Sequence, residues 1–246
     1  MAELRVGSFN ILNGSCRYQE RMPLVQKTLE EMSCDLVGVQ EVHKGLNLPY
    51  LPQENGLFFD VQSPLELYGE PTFHIDGNAV FYKSPLSPKS SQIYHFQTRN
   101  RCLGLVTFEV STRPFHFCVA HFDYLGDEVA VREVHELLTF LAPYMNEDIV
   151  LVGDFNFTPE SQAYALIRTH FRSAFVECYG REPVITFPTG LKGQYMDSGK
   201  SGTYDYIYLR GKVQAVTAEI HGQRGGKGVW PSDHFALAAR IRLLGN

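Results

Sequence analysis

Ile149–Glu160 reads IVLVGDFNFTPE, and the fold turns on how this stretch is read. Four apolar residues, Ile149 to Val152, make a short buried-strand pattern. Gly153 offers a turn, and Asp154 and Asn156 follow it. Pro159 stands where a helix can begin. An acid and an amide are thus presented just past the C-terminal end of a strand, where α/β sheets hold ligands. Alone, Asp-x-Asn is more often an ordinary turn, so its weight comes from the rest of the chain.

Strand-like runs lie on both sides of it. Leu4–Asn10, Asp35–Val39, Leu57–Gln62, Ala79–Tyr82, Gln92–Phe96, Leu103–Val110 and Phe115–His121 come before. Ser173–Cys178, Tyr204–Leu209, Val213–Glu219 and Phe235–Leu243 come after. Tyr18–Met32 carries a helical stripe of Met22, Val25, Leu29 and Met32. Ala130–Leu141 carries another, and Thr158–Thr169 reads as a short helix with proline near its start. Gly45–Gly77 is rich in Gly, Pro, Asn and Gln and reads as loops and a rim. With no linker, charge block or low-complexity segment, residues 1–246 read as one domain. Strands and helices alternate throughout, which predicts an α/β class with two packed sheets and helices outside.

The chain has 246 residues, 44% hydrophobic and 20% charged, a composition that can build a large core. No apolar run approaches the roughly 18 residues of a membrane helix. The start, MAELRVGSFN, goes directly into a strand pattern, without a signal or transit segment. The expectation is a cytoplasmic or nuclear protein, not secreted and with no membrane partner. The five cysteines are odd in number and include no C-x-x-C, which argues against a disulfide framework and a zinc site. The net charge of −5 argues against gripping polyanions by bulk charge. It leaves room for an enzyme that meets a few phosphates through local cations or a metal.

Polar residues recur at the ends of the strand runs: Asn10, Glu41, His121, Asp154 with Asn156, and Asp233 with His234. Asp205 instead opens its run. Brought together, this set suits phosphodiester hydrolysis. A hard cation such as Mg²⁺ needs only one or two carboxylates and keeps its waters. It offsets charge growing on phosphoryl and leaving oxygens. A carboxylate orients the attacking water, and a histidine beside a carboxylate binds phosphate or supplies a proton.

Seven segments then appear in order: SFNILNG (Ser8–Gly14), VQEV (Val39–Val42), DGNAVFY (Asp76–Tyr82), VAHFD (Val119–Asp123), LVGDFNFTPES (Leu151–Ser161), TYDYIYL (Thr203–Leu209) and WPSDHFAL (Trp230–Leu237). On these segments the chain resembles the endonuclease/exonuclease/phosphatase superfamily, which has the deoxyribonuclease-I-like fold. The resemblance implies a four-layer αββα sandwich of two packed mixed β-sheets flanked by helices. It also implies phosphoester cleavage with Mg²⁺, or Mn²⁺ in its place. Carried over, Glu41 is the main metal ligand, with Asn10 beside it and Asp233 supporting the metal side. Asp154 positions or activates the water, Asn156 holds the scissile phosphate, and Asp205 orients His234. His121 touches the phosphate or assists the leaving group. Asn10, Asn78 and Arg101 are expected to contact substrate, with Arg99 the weaker arginine candidate. The Gly222–Trp230 loop, with His221, Arg224, Lys227 and Trp230, is a candidate phosphate clamp. One departure stands out: the abasic-site endonucleases carry Asp where this chain has Leu12, so that branch's activity is not expected.

The final third is similar in layout to the nocturnin-like and carbon-catabolite-repressor-type deadenylases and their phosphodiesterase relatives. That implies a nucleic acid or nucleotide substrate, with RNA or oligonucleotide 3′ ends foremost, and no obligate protein partner. The alternatives are a phosphatase or phosphodiesterase acting on a small phosphoester or lipid head group, and an inert binding module.

Overall fold

Ile149 and Leu151 pack against Val134, Leu137 and Leu141, whereas Val150 and Val152 pack against Leu36 and Val80. Successive side chains of a strand point to opposite faces. The apolar run therefore covers a helix layer on one side and a second sheet on the other.

The computed structural model describes residues 2–13, 16–52, 55–60, 77–98, 101–193, 199–225 and 228–245. The strands are β1 (Ala2–Asn10), β2 (Leu36–Val42), β3 (Gly56–Phe59), β4 (Gly77–Tyr82), β5 (Pro88–His95), β6 (Cys102–Val110), β7 (Arg113–His121), β8 (Asp148–Asp154), β9 (Arg172–Ser173), β10 (Asp205–Arg210), β11 (Val213–His221) and β12 (Ala236–Leu243). The helices are α1 (Tyr18–Met32), α2 (Lys44–Asn47), α3 (Asp127–Leu141), α4 (Gln162–Arg168) and α5 (Ala174–Tyr179). The strands form two six-stranded sheets, ordered β11-β12-β1-β2-β4-β3 and β5-β6-β7-β8-β10-β9. The stripe of α1 covers the outer face of the first sheet, against Phe9, Val37, Val39 and Phe81. Helices α3 and α4 cover the outer face of the second. The layers run α-β-β-α, as the resemblance implies.

Both sheets share one local plan. β1 runs parallel to β2, and β12 and β4 flank that pair antiparallel. β7 runs parallel to β8, and β6 and β10 flank that pair antiparallel. The ends of the central strands therefore meet the beginnings of their neighbours. Asn10, His121 and Asp154 end their strands and Glu41 lies near the end of β2, while Asn78 and Asp205 begin theirs. Arg101 comes just before β6, and Asp233 and His234 just before β12. Topology thus gathers all these residues at one end of the two sheets.

Two glycines are dictated by close approach. A Cβ on Gly38 would lie 2.5 Å from Val152 Cγ2, so its absence lets the sheets pack tightly. A Cβ on Gly153 would lie 2.1 Å from the Ala120 carbonyl oxygen of the neighbouring strand. Gly153 is thus a residue within β8 and not the turn expected of it.

Three other expectations are corrected. Ser173–Cys178 is mostly helix: Ser173 Oγ accepts from Val176 N at 3.4 Å and Gly180 ends α5 at φ 71°. Side-chain capping at one end and glycine at the other outweigh the short apolar run Ala174–Val176. Pro159 does not open a helix; α4 starts at Gln162, where Ser161 Oγ accepts from Tyr164 N at 3.0 Å. The strand expected over Leu57–Gln62 spans Gly56–Phe59, and residues 61–62 lie outside the described ones. So do 63–76 of the expected rim, Arg99, and Lys227 of the candidate clamp.

Candidate active site

Inward-facing positions of the central strands are apolar until the last one or two. Val150 and Val152 precede Asp154, Phe117 and Val119 precede His121, and Val6 precedes Ser8 and Asn10. On β10 the order is reversed, with Asp205 ahead of Ile207 and Leu209. The site is therefore the polar top layer of the core between the sheets.

Asp154 is its centre. The Asn10 amide nitrogen donates to Asp154 Oδ2 at 3.0 Å and to Glu41 Oε1 at 3.1 Å, joining the two sheets. Asn156 N donates to Asp154 Oδ1 at 3.0 Å. His121 Nε2 and His234 Nε2 each stand 3.6 Å from Asp154 Oδ2. Burial pushes the Asp154 carboxyl up to about 6, and Asp205 adds to the rise. The positive His234 and the donors Asn10 and Asn156 hold it from rising further.

The two imidazoles are driven in opposite directions. Burial, the Arg101 charge and His234 push His121 well below the ordinary histidine value. Arg101 Nη1 stands 3.4 Å from His121 Nδ1. A guanidinium only donates, so Nδ1 accepts and Nε2 keeps the proton, directed at Asp154. For His234, burial works toward the neutral ring but is outweighed. Asp205 and Asp154 hold it well above the ordinary value. His234 Nδ1 donates to Asp205 Oδ2 at 2.9 Å, and Phe187 packs on the ring with centroids 4.8 Å apart. A neutral and a charged imidazole thus flank one carboxylate.

Glu41 sits at φ 58°, beside the register shift where β2 leaves β4. An acidic residue in the left-handed region stores strain of about 1–3 kcal/mol, which the surrounding structure must impose. Asn156 is left-handed too, at φ 51°, a conformation asparagine tolerates well. Its Nδ2 donates to the Phe122 carbonyl at 2.8 Å. Asp233 accepts from Ser232 Oγ at 3.1 Å, and Ser232 Oγ also accepts from His234 N at 3.2 Å.

Two of the expected residues are engaged within the protein. Asn10 turns its nitrogen to the carboxylates, and its oxygen accepts from Leu12 N at 3.1 Å. Asn78 donates its amide to the Cys102 carbonyl at 2.8 Å, tying β4 to β6 across the sheets. Trp230 of the candidate clamp packs on Phe235, with ring centroids 5.8 Å apart. A cavity of about 610 Å³ beside α1, lined by Leu29, Cys34, Val37 and Phe81, contains none of the candidate residues.

The oxygen-rich donor set suits a hard cation. Glu41 and Asp233 bring carboxylates, and the buried Asp205 Oδ1 has no hydrogen-bond partner among the described residues. Asp154, Asp205 and His234 can each turn one ligand atom to within 4.8 Å of the others. A charged His234 is a poor ligand, however, because ligation needs its lone pair. The Glu41 side therefore fits a cation better.

Sequence reading passed over Arg21, Asn13 and Glu133. Arg21 is wholly buried, on the stripe of α1 four residues before Val25; an arginine in an apolar stripe was the available signal. Asn13 Nδ2 lies 3.4 Å from Glu41 Oε2; its place in the segment SFNILNG was the available signal. Glu133, buried on α3, accepts from Asp123 N at 2.9 Å and from Thr98 Oγ1, fastening the loop after β7. Burial pushes its carboxyl up to about 7.

The endonuclease/exonuclease/phosphatase family model matches residues 7–234. A search of curated proteins finds no match. Among solved structures, an endonuclease/exonuclease/phosphatase from Bacteroides vulgatus superposes with TM-score 0.78 at 19% identity, covering 99% of this chain and 100% of that one. D. rerio TDP2, complexed with a single-strand DNA product, gives 0.76 at 17%, covering 98% and 100%. The mannosyl-6-phosphatase Bt3783 of Bacteroides thetaiotaomicron gives 0.74 at 16%, covering 97% and 99%. At these identities the likeness shows the fold. Among the described residues, no helix is long and apolar enough to cross a membrane. With the matched family model spanning nearly its whole length, the chain belongs to the endonuclease/exonuclease/phosphatase family, hydrolases that act on phosphoesters.

Proposed function

We propose that residues 1–246 act as one catalytic domain, a divalent-metal-dependent phosphodiesterase whose substrate is a single-stranded oligonucleotide, foremost an RNA 3′ end. The observation that carries this reading is Asp154 flanked by two imidazoles of opposite protonation.

Each group then has a task. Asp154, held near neutrality, accepts a proton from an attacking water as its carboxylate. His234, positive and steadied by Asp205, donates to a non-bridging phosphoryl oxygen. His121 keeps its proton on Nε2 and donates to a phosphate or leaving oxygen without adding charge. Asn156, fixed on the Phe122 carbonyl, orients the scissile phosphate. Glu41 and Asp233 are the groups that would hold Mg²⁺ or Mn²⁺, which supplies positive charge against the phosphate. Phe187 and Tyr204 are partly exposed beside His234, and their ring faces suit bases.

A second reading keeps the site and changes the substrate to a small phosphomonoester or lipid head group. The fold likeness to a mannosyl-6-phosphatase favours it. The test is a panel of oligoadenylate, single-stranded DNA, a sugar phosphate, a phosphoinositide and sphingomyelin, with Mg²⁺ and with EDTA. Turnover of oligoadenylate that EDTA abolishes is expected. Full activity in EDTA, or turnover of a monoester alone, would refute the proposal.

A further inference from the structure

Arg21 carries a full charge inside the protein, on the apolar side of α1. Burying such a charge is costly unless its donors are all met. Here they are. Nε donates to the Cys16 carbonyl at 2.6 Å, Nη1 to those of Ile11 and Pro231 at 2.9 and 2.8 Å, and Nη2 to those of Leu12 and Asn13 at 2.6 and 3.3 Å. Five donors thus meet five backbone carbonyls.

The carbonyls belong to two different segments. Ile11, Leu12, Asn13 and Cys16 lie in the connection from β1 to α1, directly after Asn10. Within it, Asn13 reaches Glu41 Oε2. Pro231 lies two residues before Asp233 and three before His234. The guanidinium is the bolt between the segment that supports Glu41 and the one that carries Asp233 and His234. Both Glu41 and Asp233 also feel its charge, which works against the effect of burial on the arginine.

We propose that Arg21 is a positioning residue, clamping the β1–α1 connection to the segment before β12 so that Glu41 and Asp233 are preset to hold a divalent cation. This rests on the phosphodiesterase reading for its purpose, but not for its test. Lysine keeps the charge yet has three donors, so it satisfies at most three of the five carbonyls. Methionine keeps the packing and loses every donor.

The test compares wild type, Arg21→Lys and Arg21→Met for Mn²⁺ affinity by electron paramagnetic resonance, without substrate and well below each melting temperature. Supporting groups behind metal ligands are worth about 10–100-fold in affinity. A rise of about tenfold or more in the Mn²⁺ dissociation constant of Arg21→Lys is expected, with kcat on bis-p-nitrophenyl phosphate lowered and KM within about twofold. If Arg21→Met does not fold, Arg21→Lys still decides. A lower melting temperature with wild-type Mn²⁺ affinity would reduce Arg21 to a structural staple and overturn the proposal, as would a wild type that binds no Mn²⁺. A wild type that binds Mn²⁺ but hydrolyses nothing on the panel would refute the proposed function, while the comparison of affinities still judged Arg21.

Discussion

Asp205 accepts the Nδ1 proton of His234 through Oδ2 at 2.9 Å, while its other oxygen is buried with no hydrogen-bond partner among the described residues. An acid so placed holds the ring charged and fixes which nitrogen faces Asp154.

Asp205→Asn should therefore lower kcat by about a hundredfold or more. Activity that needs a charged His234 is present below the ring's pKa and lost as pH rises through it. Removing the carboxylate should lower that pKa, so the alkaline limb moves to lower pH. The acid limb follows Asp154: activity is lost as pH falls through about 6, the value to which burial raises that carboxyl. Profiles of kcat against pH for the two proteins check both limbs. An unmoved alkaline limb would remove His234 from its assigned role.

The same pair sets a stability trend. The ring's folded value is raised well above its ordinary one. Its contribution is complete below the ordinary histidine value and lost as pH rises through the raised one. Urea midpoints of wild type and His234→Gln should converge toward alkaline pH.

Glu41→Gln keeps the shape of the side chain and one acceptor oxygen, enough for Asn10 or Asn13 but not both, and removes the charge. The Mn²⁺ dissociation constant should rise by more than about tenfold, since even supporting groups are worth that much. Titration followed by calorimetry gives the constant. Unchanged affinity would move the cation elsewhere.

Asn78→Ala separates folding from substrate contact. Its amide meets a buried backbone carbonyl between the sheets. The loss should cost about 1–3 kcal/mol in chemical denaturation, because the Cys102 carbonyl is stranded. kcat/KM on an oligonucleotide should stay within about twofold, which a substrate-binding asparagine would not allow.

Gly153→Ala tests the tightest backbone approach beside the site. The new methyl would lie 2.1 Å from the Ala120 oxygen, and neither partner is a side chain that can swing away. A loss of about 3 kcal/mol is expected, at the upper end for overpacking. A melting temperature within a degree or so of wild type would show that β7 and β8 separate more easily than their pairing implies.

Much of the fold was legible along the chain. The stripe of α1 is local, so Tyr18–Met32 is found where its period predicts. The unbroken apolar run Ile149–Val152 on β8 gives both buried faces without reference to any other strand. Ser173–Cys178 misled because a short apolar run such as Ala174–Val176 fits a buried strand as well as a capped helix turn, and only packing chooses. The position of Asn78 in a motif names an end of the sheet but not the direction of its amide, which packing sets against the Cys102 carbonyl.

What the sequence by itself determined was the list: acids, amides and imidazoles at the last inward positions of apolar strands, in an order that names the family. What only tertiary structure decided was their chemistry. His121 and His234 are the same residue type in the line of the chain, yet one is driven neutral by Arg101 and burial, the other charged by Asp205 and Asp154. A proton's free energy depends on charges and solvent a few ångströms away through space. Those distances are fixed by the closure of two sheets upon each other and have no counterpart in spacing along the chain.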